Sequence, residues 1–274
     1  MSLWTIEVLL YGKIRGPGEF IIAGSGLGDQ EFDVPYLGFL LQNEGRNILV
    51  DSGINENFII GGKAWGGFPA VGGEAYVVEA LRSVNIIPEQ IDMVIYTHLH
   101  NDHAGNCHLF PKAKHVFQKD EWLNLLNPIP AQKVRKDYDP SIIPVLEKLD
   151  TTAIDGDLEL LPGIKVYKAP GHSLGSQLIA VATPKGTMVI LGDLCNTYSH
   201  IFPETDVFID MEGNHYKIKT NVETYGPAIP SPMIYDYFAF YDSVYKAKVL
   251  AQWKKEFVLP GHETALVQYC KSKF

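Results

Sequence analysis

Residues 97–106 read Thr-His-Leu-His-Asn-Asp-His-Ala-Gly-Asn, which places four side chains able to bind a metal within six residues. These side chains are His98, His100, Asp102 and His103. They follow residues 91–96, an apolar run that is rich in β-branched residues and short enough for a buried strand. Alternate side chains of an extended chain share a face, so the first two histidines point the same way. The turn that follows brings the aspartate and the last histidine to a second position.

Surface histidines at a polar strand end are the alternative interpretation of this cluster. Three histidines and one aspartate at such close spacing leave little for packing to explain, so we favour metal binding. The stretch therefore predicts two adjacent metal positions at the end of a strand.

Three further candidate ligands lie downstream, and each comes directly after a glycine that ends an apolar run. They are His172, Asp193 and His262. Glycine lets the backbone turn sharply and approach an ion closely. Each residue alone would more often be an ordinary turn or capping residue. Together with the first cluster they supply five histidines and two aspartates, the ligand count for two metal ions that share one carboxylate.

The order of these seven residues resembles the metallo-β-lactamase superfamily, from about residue 5 to about residue 265. The resemblance implies that three residues hold a first metal: His98, His100 and His172. It implies that three others hold a second metal: Asp102, His103 and His262. Asp193 then bridges the two ions. Asp51, at the end of Ile-Leu-Val-Asp-Ser-Gly, matches an aspartate that orients a ligand histidine from outside the metal sphere. From the residues alone, a hairpin Asx-turn explains Asp51 equally well.

The amino-acid composition limits the classes of molecule that the chain is expected to bind. The chain has 274 residues, of which 46% are hydrophobic and 20% charged, so it can bury a large core. Its net charge of -9 without a basic stripe argues against nucleic acid and against an anionic membrane surface. The three cysteines are odd in number and form no Cys-x-x-Cys pair. With no evident signal peptide and no run of membrane-spanning length, they predict a cytoplasmic protein.

No linker, repeat or low-complexity tract divides the chain, so residues 1–274 are predicted to form a single hydrolase domain. Strands are predicted near residues 3–12, 35–42, 46–51, 91–96, 114–118, 164–168, 176–183, 187–192 and 256–260. Helices are predicted at residues 74–84, 120–126 and 234–255. The last of these carries one apolar face from Ile234 to Val249. Strands in two groups, each followed by helices, predict an α+β protein. The expected architecture is an αββα sandwich of two mixed β-sheets flanked by helices, as the resemblance also implies.

Two irregular segments are candidates for substrate contact. Residues 61–73 combine glycines with Trp65 and Phe68, which predicts an apolar lid over the metals, although a packed Ω-loop is an equal alternative. Residues 196–233 are expected to include an insertion near the site, and Tyr198 and Phe202 are its candidate pocket residues.

The ligand set predicts the chemistry. Two divalent ions, two carboxylates and a bridging hydroxide leave a site of net positive charge that can polarise a neutral carbonyl, which favours an ester substrate. Zinc is the expected metal, with iron, manganese and cobalt as alternatives. Either Asp102 or Asp193 is expected to relay the proton to the leaving group.

Within the superfamily, the chain is most similar to the N-acyl homoserine lactonases. This resemblance predicts a small lactone substrate that is opened by the metal-bridging hydroxide, and a homodimer is compatible with it. Those lactonases carry a tyrosine three residues after the bridging aspartate, where this chain has Asn196. Tyr198 is expected to take that tyrosine's place. The alternatives are a dinuclear hydrolase of phosphotriesters, sulfate esters or aryl esters, and a non-enzymatic metal-binding protein.

Overall fold

The computed structural model describes residues 2–271. Seven strands form the first sheet: β1 (Thr5–Pro17), β2 (Glu31–Asn43), β3 (Arg46–Val50), β4 (Ala70–Gly72), β5 (Met93–Ile95), β6 (Lys114–Gln118) and β7 (Asp150–Ile154). Their order across the sheet is β4-β1-β2-β3-β5-β6-β7. The pairs on the β4 side are antiparallel, whereas β3, β5, β6 and β7 run parallel to one another. This sheet is therefore mixed.

The remaining strands belong to the second half of the chain: β8 (Leu158–Leu161), β9 (Ile164–Lys168), β10 (Gln177–Thr183), β11 (Gly186–Gly192), β12 (Val207–Ile209), β13 (His215–Lys217) and β14 (Val258–Pro260). Five of them form a second sheet in the order β14-β11-β10-β9-β8, and β12 pairs with β13 in a separate hairpin. Only the β11–β14 pair of the second sheet is parallel.

Helices and short turns connect these strands. The α-helices are α1 (Gly18–Ile21), α2 (Glu74–Ser83), α3 (Asn101–Ala104), α4 (Lys119–Leu126), α5 (Pro130–Arg135), α6 (Ile143–Leu146), α7 (Tyr198–Ile201), α8 (Val222–Tyr225) and α9 (Tyr237–Leu250). None of the helices formed by residues 2–271 combines the length and the apolar character needed to cross a membrane.

The alternation of side chains along the strands explains how the two sheets stack. In β3, Ile48 and Val50 join the core between the sheets, and Leu49 faces the other way. Leu49 packs in the outer cluster that α2 covers with Val77 and Leu81. The second sheet is covered in the same way by α9, whose buried residues share a cluster with those on the outer face of β10 and β11. The four layers confirm the predicted αββα sandwich of two mixed sheets.

The strands that the sequence did not predict lie mostly at sheet edges. β4 and β7 are the two edges of the first sheet, and β8 is an edge of the second. The side chains of β7 and β8 are largely exposed or half-buried. An edge strand with little burial lacks the apolar run by which an inner strand is recognised.

The apolar face predicted for the last helix is wrong in part. Phe238, Tyr245 and Val249 of the predicted face are exposed, whereas Val244 is buried as predicted and Phe240, which was not part of that face, is buried as well. The cause is a close approach at Gly171, where an added Cβ would lie 2.5 Å from the Cα of Phe240. The loop that precedes β10 therefore fixes which side of α9 faces the sheet.

Candidate metal centre

The seven candidate ligands meet at one edge of the sandwich because each follows the end of a strand. The histidine-rich stretch follows β5, and its Asp102 and His103 lie on α3. Asp193 comes directly after β11, and His262 follows β14, the strand that runs parallel to β11. His172 lies in the turn between β9 and β10.

The ligands form two clusters, and within each cluster the candidate atoms all lie within 4.8 Å of one another. The first cluster, defined here as the imidazole cluster, is His98, His100 and His172. The second, the carboxylate cluster, is Asp102, His103, Asp193 and His262.

Asp193 faces both clusters. Its Oδ1 lies 3.1 Å from Nε2 of His103 and 3.0 Å from Nε2 of His262. Its Oδ2 lies 3.7 Å from Nε2 of His172 in the imidazole cluster. One carboxylate is therefore positioned to serve a cation on either side.

Unsatisfied buried atoms indicate what the clusters lack. Among residues 2–271, seven buried side-chain nitrogen or oxygen atoms have no hydrogen-bond partner, and four of these belong to the clusters. The four are Nε2 of His98, His100 and His103, and Oδ1 of Asp193, whose short contacts with His103 and His262 lack hydrogen-bond geometry. Leaving such atoms without a partner in a buried site is costly, and imidazole nitrogen and carboxylate oxygen are typical ligands of divalent metals. The residues thus fit divalent metal ions.

In three of the five ligand histidines the other ring nitrogen is tied to a fixed acceptor. Nδ1 of His103 lies 2.9 Å from Oδ2 of Asp51. Backbone carbonyls serve the same purpose at 2.8 Å for His172, through Met233, and for His262, through Pro35. A proton held on Nδ1 leaves the Nε2 lone pair free to bind a metal.

Asp51 has the contacts of an orienting residue. Besides His103, its carboxylate accepts bonds from the backbone N–H of Thr97 at 2.7 Å and from the Thr97 hydroxyl at 2.8 Å. That hydroxyl also lies 3.0 Å from Nδ1 of His98. Burial raises the pKa of Asp51, and His103 opposes the shift. The residue thus connects the ends of β3 and β5 to one histidine of each cluster.

The two clusters differ in electrostatics. Burial lowers the pKa of all three histidines of the imidazole cluster. Burial acts in the same direction on His103, but Asp193 and Asp102 outweigh it and raise that pKa well above its usual range. The pKa of Asp193 is lowered well below its usual range, because His262 and His103 outweigh its burial. Burial therefore favours the neutral form of the histidines in the imidazole cluster, whereas the carboxylates of the second cluster favour the cationic form of His103.

Glu121 connects the two loops that carry the imidazole cluster, a role that the sequence did not reveal. It is fully buried. One carboxylate oxygen accepts the N–H of Leu99 at 3.0 Å, and the other accepts the Ser173 hydroxyl at 2.6 Å and the N–H of Gly175 at 3.0 Å. In the sequence, Glu121 is only an acid in the first turn of a short helix, and that pattern alone gives no sign of a tertiary role.

An apolar-walled cavity opens above the clusters. His100, Asp102, Asp193 and His262 line its polar part. Trp65 and Phe68 line it from the segment predicted as a lid. Their rings each lie 5.4 Å from that of Phe20, a further lining residue that the sequence analysis missed. No motif surrounds Phe20, and only the packing of α1 against the 61–73 segment brings it to the cavity.

Two predicted substrate residues lie elsewhere. Tyr198 does not line this cavity, and its hydroxyl points to the carbonyl of Val258 at 3.4 Å. Its backbone N–H is held by the buried carboxylate of Glu263 at 2.7 Å, which fixes the start of α7 and turns the ring away. Phe202 is buried in the cluster beneath α9, with Nζ of Lys248 5.2 Å from its ring centre. Neither residue contacts the cavity as the sequence predicted.

Tyr36 and Asn196 line the cavity, and neither was assigned a role there from the sequence. The Tyr36 side chain comes from β2 and is 4% exposed, and its ring packs edge-on to His262 with centroids 6.0 Å apart. Burial raises the pKa of Tyr36 well above its usual range, and Asp102 and Asp193 raise it further. Asn196 stands where a tyrosine was expected from the resemblance, and its Oδ1 is buried without a partner.

Known proteins share this fold. A solved structure of an N-acyl homoserine lactone hydrolase, with the product N-hexanoyl-L-homoserine bound at its catalytic metal centre, superimposes with a TM-score of 0.73. It is 22% identical, and the match covers 98% of this chain and 97% of that chain. At this level of identity the likeness concerns the fold alone.

Sequence comparison identifies relatives among bacterial lactonases. An N-acyl homoserine lactonase of Bacillus cereus is 33% identical over 166 residues, which are 58% of this chain and 63% of that protein. The N-acyl homoserine lactonase AiiB of Rhizobium rhizogenes is 27% identical over 220 residues, 72% of this chain and 79% of that protein. The match thus spans less than two thirds of the length of the Bacillus relative.

The family model of the metallo-beta-lactamase superfamily matches residues 34–262, a range that includes all seven candidate ligands. The chain therefore belongs to the metallo-beta-lactamase superfamily.

Proposed function

We propose that this protein is a dinuclear metal-dependent hydrolase that opens the ring of a lactone resembling an N-acyl homoserine lactone. The observation that carries the proposal is the carboxylate of Asp193, which faces both ligand clusters at the bottom of an apolar-walled cavity. The names of the similar proteins support the same substrate class. We further propose that residues 1–274 act as one hydrolase domain and that residues 196–233 include an insertion near the site.

The proposed metal content is two divalent ions. His98, His100 and His172 would hold the first, and Asp102, His103 and His262 the second, with Asp193 between them. Zinc is the proposed metal because imidazole and carboxylate in low-coordinate sites suit it, and iron, manganese or cobalt would suit the same donors. Bound divalent ions lower the pKa of water and polarise a carbonyl group.

The protein's own residues would then position the groups that react. Asp51 and the carbonyls of Pro35 and Met233 hold ligand histidines in one tautomer. Asp102 keeps 21% of its side chain exposed, while that of Asp193 is 3% exposed. We assign to Asp102 the relay of a proton from the attacking water to the leaving alkoxide, because its side chain is the more exposed of these two lining aspartates.

The apolar wall suits an acyl chain. Trp65, Phe68 and Phe20 form a continuous aromatic surface beside the polar part of the cavity. A methylene group that leaves water contributes about 0.8 kcal/mol. An acyl tail would therefore gain binding energy from this wall without contacting the metals.

The proposed setting follows from charge and cysteine chemistry. The net charge of -9 disfavours nucleic acid and anionic membranes, which leaves a small-molecule ester or lactone as the proposed partner. Cys107 and Cys195 are buried and reduced, which suits a reducing compartment, and we propose the cytoplasm. A homodimer stays a prediction.

A chain-length series tests the function. Metal-loaded protein should open acyl homoserine lactones, and four added methylenes should raise kcat/KM by up to about a hundredfold. Trp65→Ala should flatten this dependence while hydrolysis of a short-chain lactone stays nearly intact. Trp253→Ala serves as the control, because Trp253 is exposed and lies outside the cavity. Turnover of phosphotriesters, sulfate esters or aryl esters with none of lactones would replace the lactonase proposal by the corresponding alternative. Bound metals without any hydrolysis would favour a non-enzymatic member.

A further inference from the structure

Most polar side chains that line the cavity are already committed to protein partners. Arg15 pairs with Glu31 and Asp33, each at 3.1 Å. The amide nitrogen of Asn101 donates to the carbonyls of Lys136 and Asp137 at 2.7 Å and 3.1 Å. Asn101 therefore has no amide proton left for a substrate carbonyl, and the charge of Arg15 is already neutralised by two carboxylates although further guanidinium N–H groups remain.

Three further polar residues that line the cavity also have protein partners. The hydroxyl of Thr197 lies 3.1 Å from Nδ1 of His200, and the hydroxyl of Ser231 donates to the carbonyl of Met233 at 3.3 Å. The Asp137 carboxylate is held by Arg135 at 2.6 Å. Outside the ligand clusters, three polar groups that line the cavity make no hydrogen bond to any of residues 2–271: the Tyr36 hydroxyl, the Asn196 amide and the indole N–H of Trp65. Trp65 belongs to the aromatic wall, so Tyr36 and Asn196 are the candidates for a contact beside the ligand clusters.

We propose that the hydroxyl of Tyr36 donates a hydrogen bond to the carbonyl oxygen of the ester under attack, an inference that rests on the proposed function. The ring is held in place by the carboxylate cluster, since it packs edge-on against His262. The preceding residue, Pro35, accepts the Nδ1–H of that histidine at 2.8 Å. One short piece of β2 thus fixes both a candidate metal ligand and the phenol beside it.

The chemistry favours Tyr36 over Asn196 for this contact. Negative charge grows on the carbonyl oxygen as the ester is attacked, and a fixed donor aimed at that oxygen acts most strongly in the transition state. The phenol is a single donor on a rigid ring that is almost fully buried, and both Asp102 and Asp193 lie near enough to act on it. Asn196 is only half-buried and projects from a loop rather than a strand. Asn196 is therefore the competing candidate in the test.

Tyr36→Phe removes the hydroxyl and keeps the ring, so folding and metal content should not change. We expect kcat on every lactone to fall about a hundredfold whatever the length of its acyl chain, with KM changed less than about threefold. Tyr11→Phe is the matched control. Tyr11 lies on the neighbouring strand, and its buried hydroxyl also has no hydrogen-bond partner, but it does not line the cavity. Its loss should leave both constants unchanged.

A spectroscopic measurement tests the contact without turnover. The γ-lactam analogue of an acyl homoserine lactone, labelled with ¹³C at the ring carbonyl, should show a lower carbonyl stretching frequency when bound to metal-loaded wild-type protein than in water. Tyr36→Phe should move the bound frequency upward, and Tyr11→Phe should not move it. Asn196→Ala should likewise leave it unchanged.

The outcomes separate this inference from the proposed function. If wild-type protein neither binds the lactam nor opens lactones, the lactonase proposal fails. The role of Tyr36 is then tested by comparing kcat of wild type and Tyr36→Phe on whichever ester the protein hydrolyses. An unchanged kcat in Tyr36→Phe overturns the inference, and so does a loss confined to KM. A kcat loss and frequency shift found in Asn196→Ala instead would also overturn it, and would assign the contact to that amide. Hydrolysis of no ester at all would overturn both proposals.

Discussion

Two buried histidines, His115 and the candidate metal ligand His98, differ in whether both ring nitrogens have a hydrogen-bond partner. His115 is fully buried on β6, where one ring nitrogen lies 2.9 Å from the Tyr96 hydroxyl and the other 3.0 Å from the Phe110 carbonyl. His98 is 1% exposed, and only its Nδ1 has a partner. Burial is therefore the same, and the unsatisfied nitrogen is what distinguishes the candidate ligand. The predictions below test that difference, from the largest expected effect to the smallest.

Removing the shared carboxylate should have the largest effect. Asp193→Ala leaves the unsatisfied nitrogens of the clusters without their common anion, so the protein should lose most of its second equivalent of metal and about a thousandfold or more in kcat. Elemental analysis of protein purified without chelator checks the metal, and Asp242→Ala, on the exposed side of α9, is the control. Wild-type protein that never exceeds one equivalent after metal supplementation would contradict the dinuclear assignment.

Glu121→Gln should have the next largest effect, now on stability. All four groups that face this carboxylate donate hydrogen bonds to it: the N–H groups of Leu99 and Gly175 and the hydroxyls of Tyr138 and Ser173. A glutamine would turn an NH₂ group towards some of these donors, which should cost about 3 kcal/mol of unfolding free energy.

Urea unfolding measures the effect of Glu121→Gln, and Glu79→Gln in the exposed pair with Arg82 should change stability by less than about 0.5 kcal/mol. The loss should be accompanied by weaker metal binding, because Glu121 holds both loops of the imidazole cluster. Normal stability in this variant would show that the carboxylate is dispensable.

His200 is a buried histidine that has a hydrogen-bond partner, as His115 does, and the pH dependence of stability tests its role. Nδ1 of this buried histidine accepts the N–H of Thr197 at 3.2 Å, and burial lowers its pKa to about 4. The unfolded chain takes up this proton near pH 6.5, so the stabilisation is complete above that pH. It is lost progressively as the pH falls to about 4, and the total is on the order of 3 kcal/mol.

His200→Asn keeps an acceptor near the N–H of Thr197 and removes the titration. Unfolding free energies of the two proteins between pH 4 and pH 7 should converge as the pH falls, because only the wild type loses this contribution. Parallel curves would show that His200 does not titrate as its burial implies.

Asp51→Asn should give the smallest effect. The amide can still accept from Thr97 but holds the Nδ1–H of His103 less strongly, so metal affinity should fall about 10- to 100-fold with the fold intact. Competition with a chromogenic chelator measures the affinity. Unchanged affinity would indicate that Asp51 serves only the turn after β3, where its φ of 60° already places it in the left-handed region.

Sequence periodicity predicted much of the fold. β6 and β9 were predicted at their observed residues, and the inner strands of both sheets were found because an apolar run is what makes a strand an inner one. The edge strands β4, β7 and β8 and part of the buried face of α9 were not found. Their positions depend on pairing with distant segments and on the close approach at Gly171, and neither is encoded in local hydrophobicity.

The sequence by itself determined the candidate ligand set, because metal chemistry requires particular side chains, and close spacing with a preceding glycine reveals them before any fold is known. Only the tertiary structure decided which other residues surround the site. Tyr36, Phe20 and Glu121 come from segments with no motif, and Tyr198 and Phe202 turn away although they follow Asp193 closely in the chain. A cavity is lined by whatever side chains the packing brings to it, so its residues follow from the stacking of the sheets and not from their order along the chain.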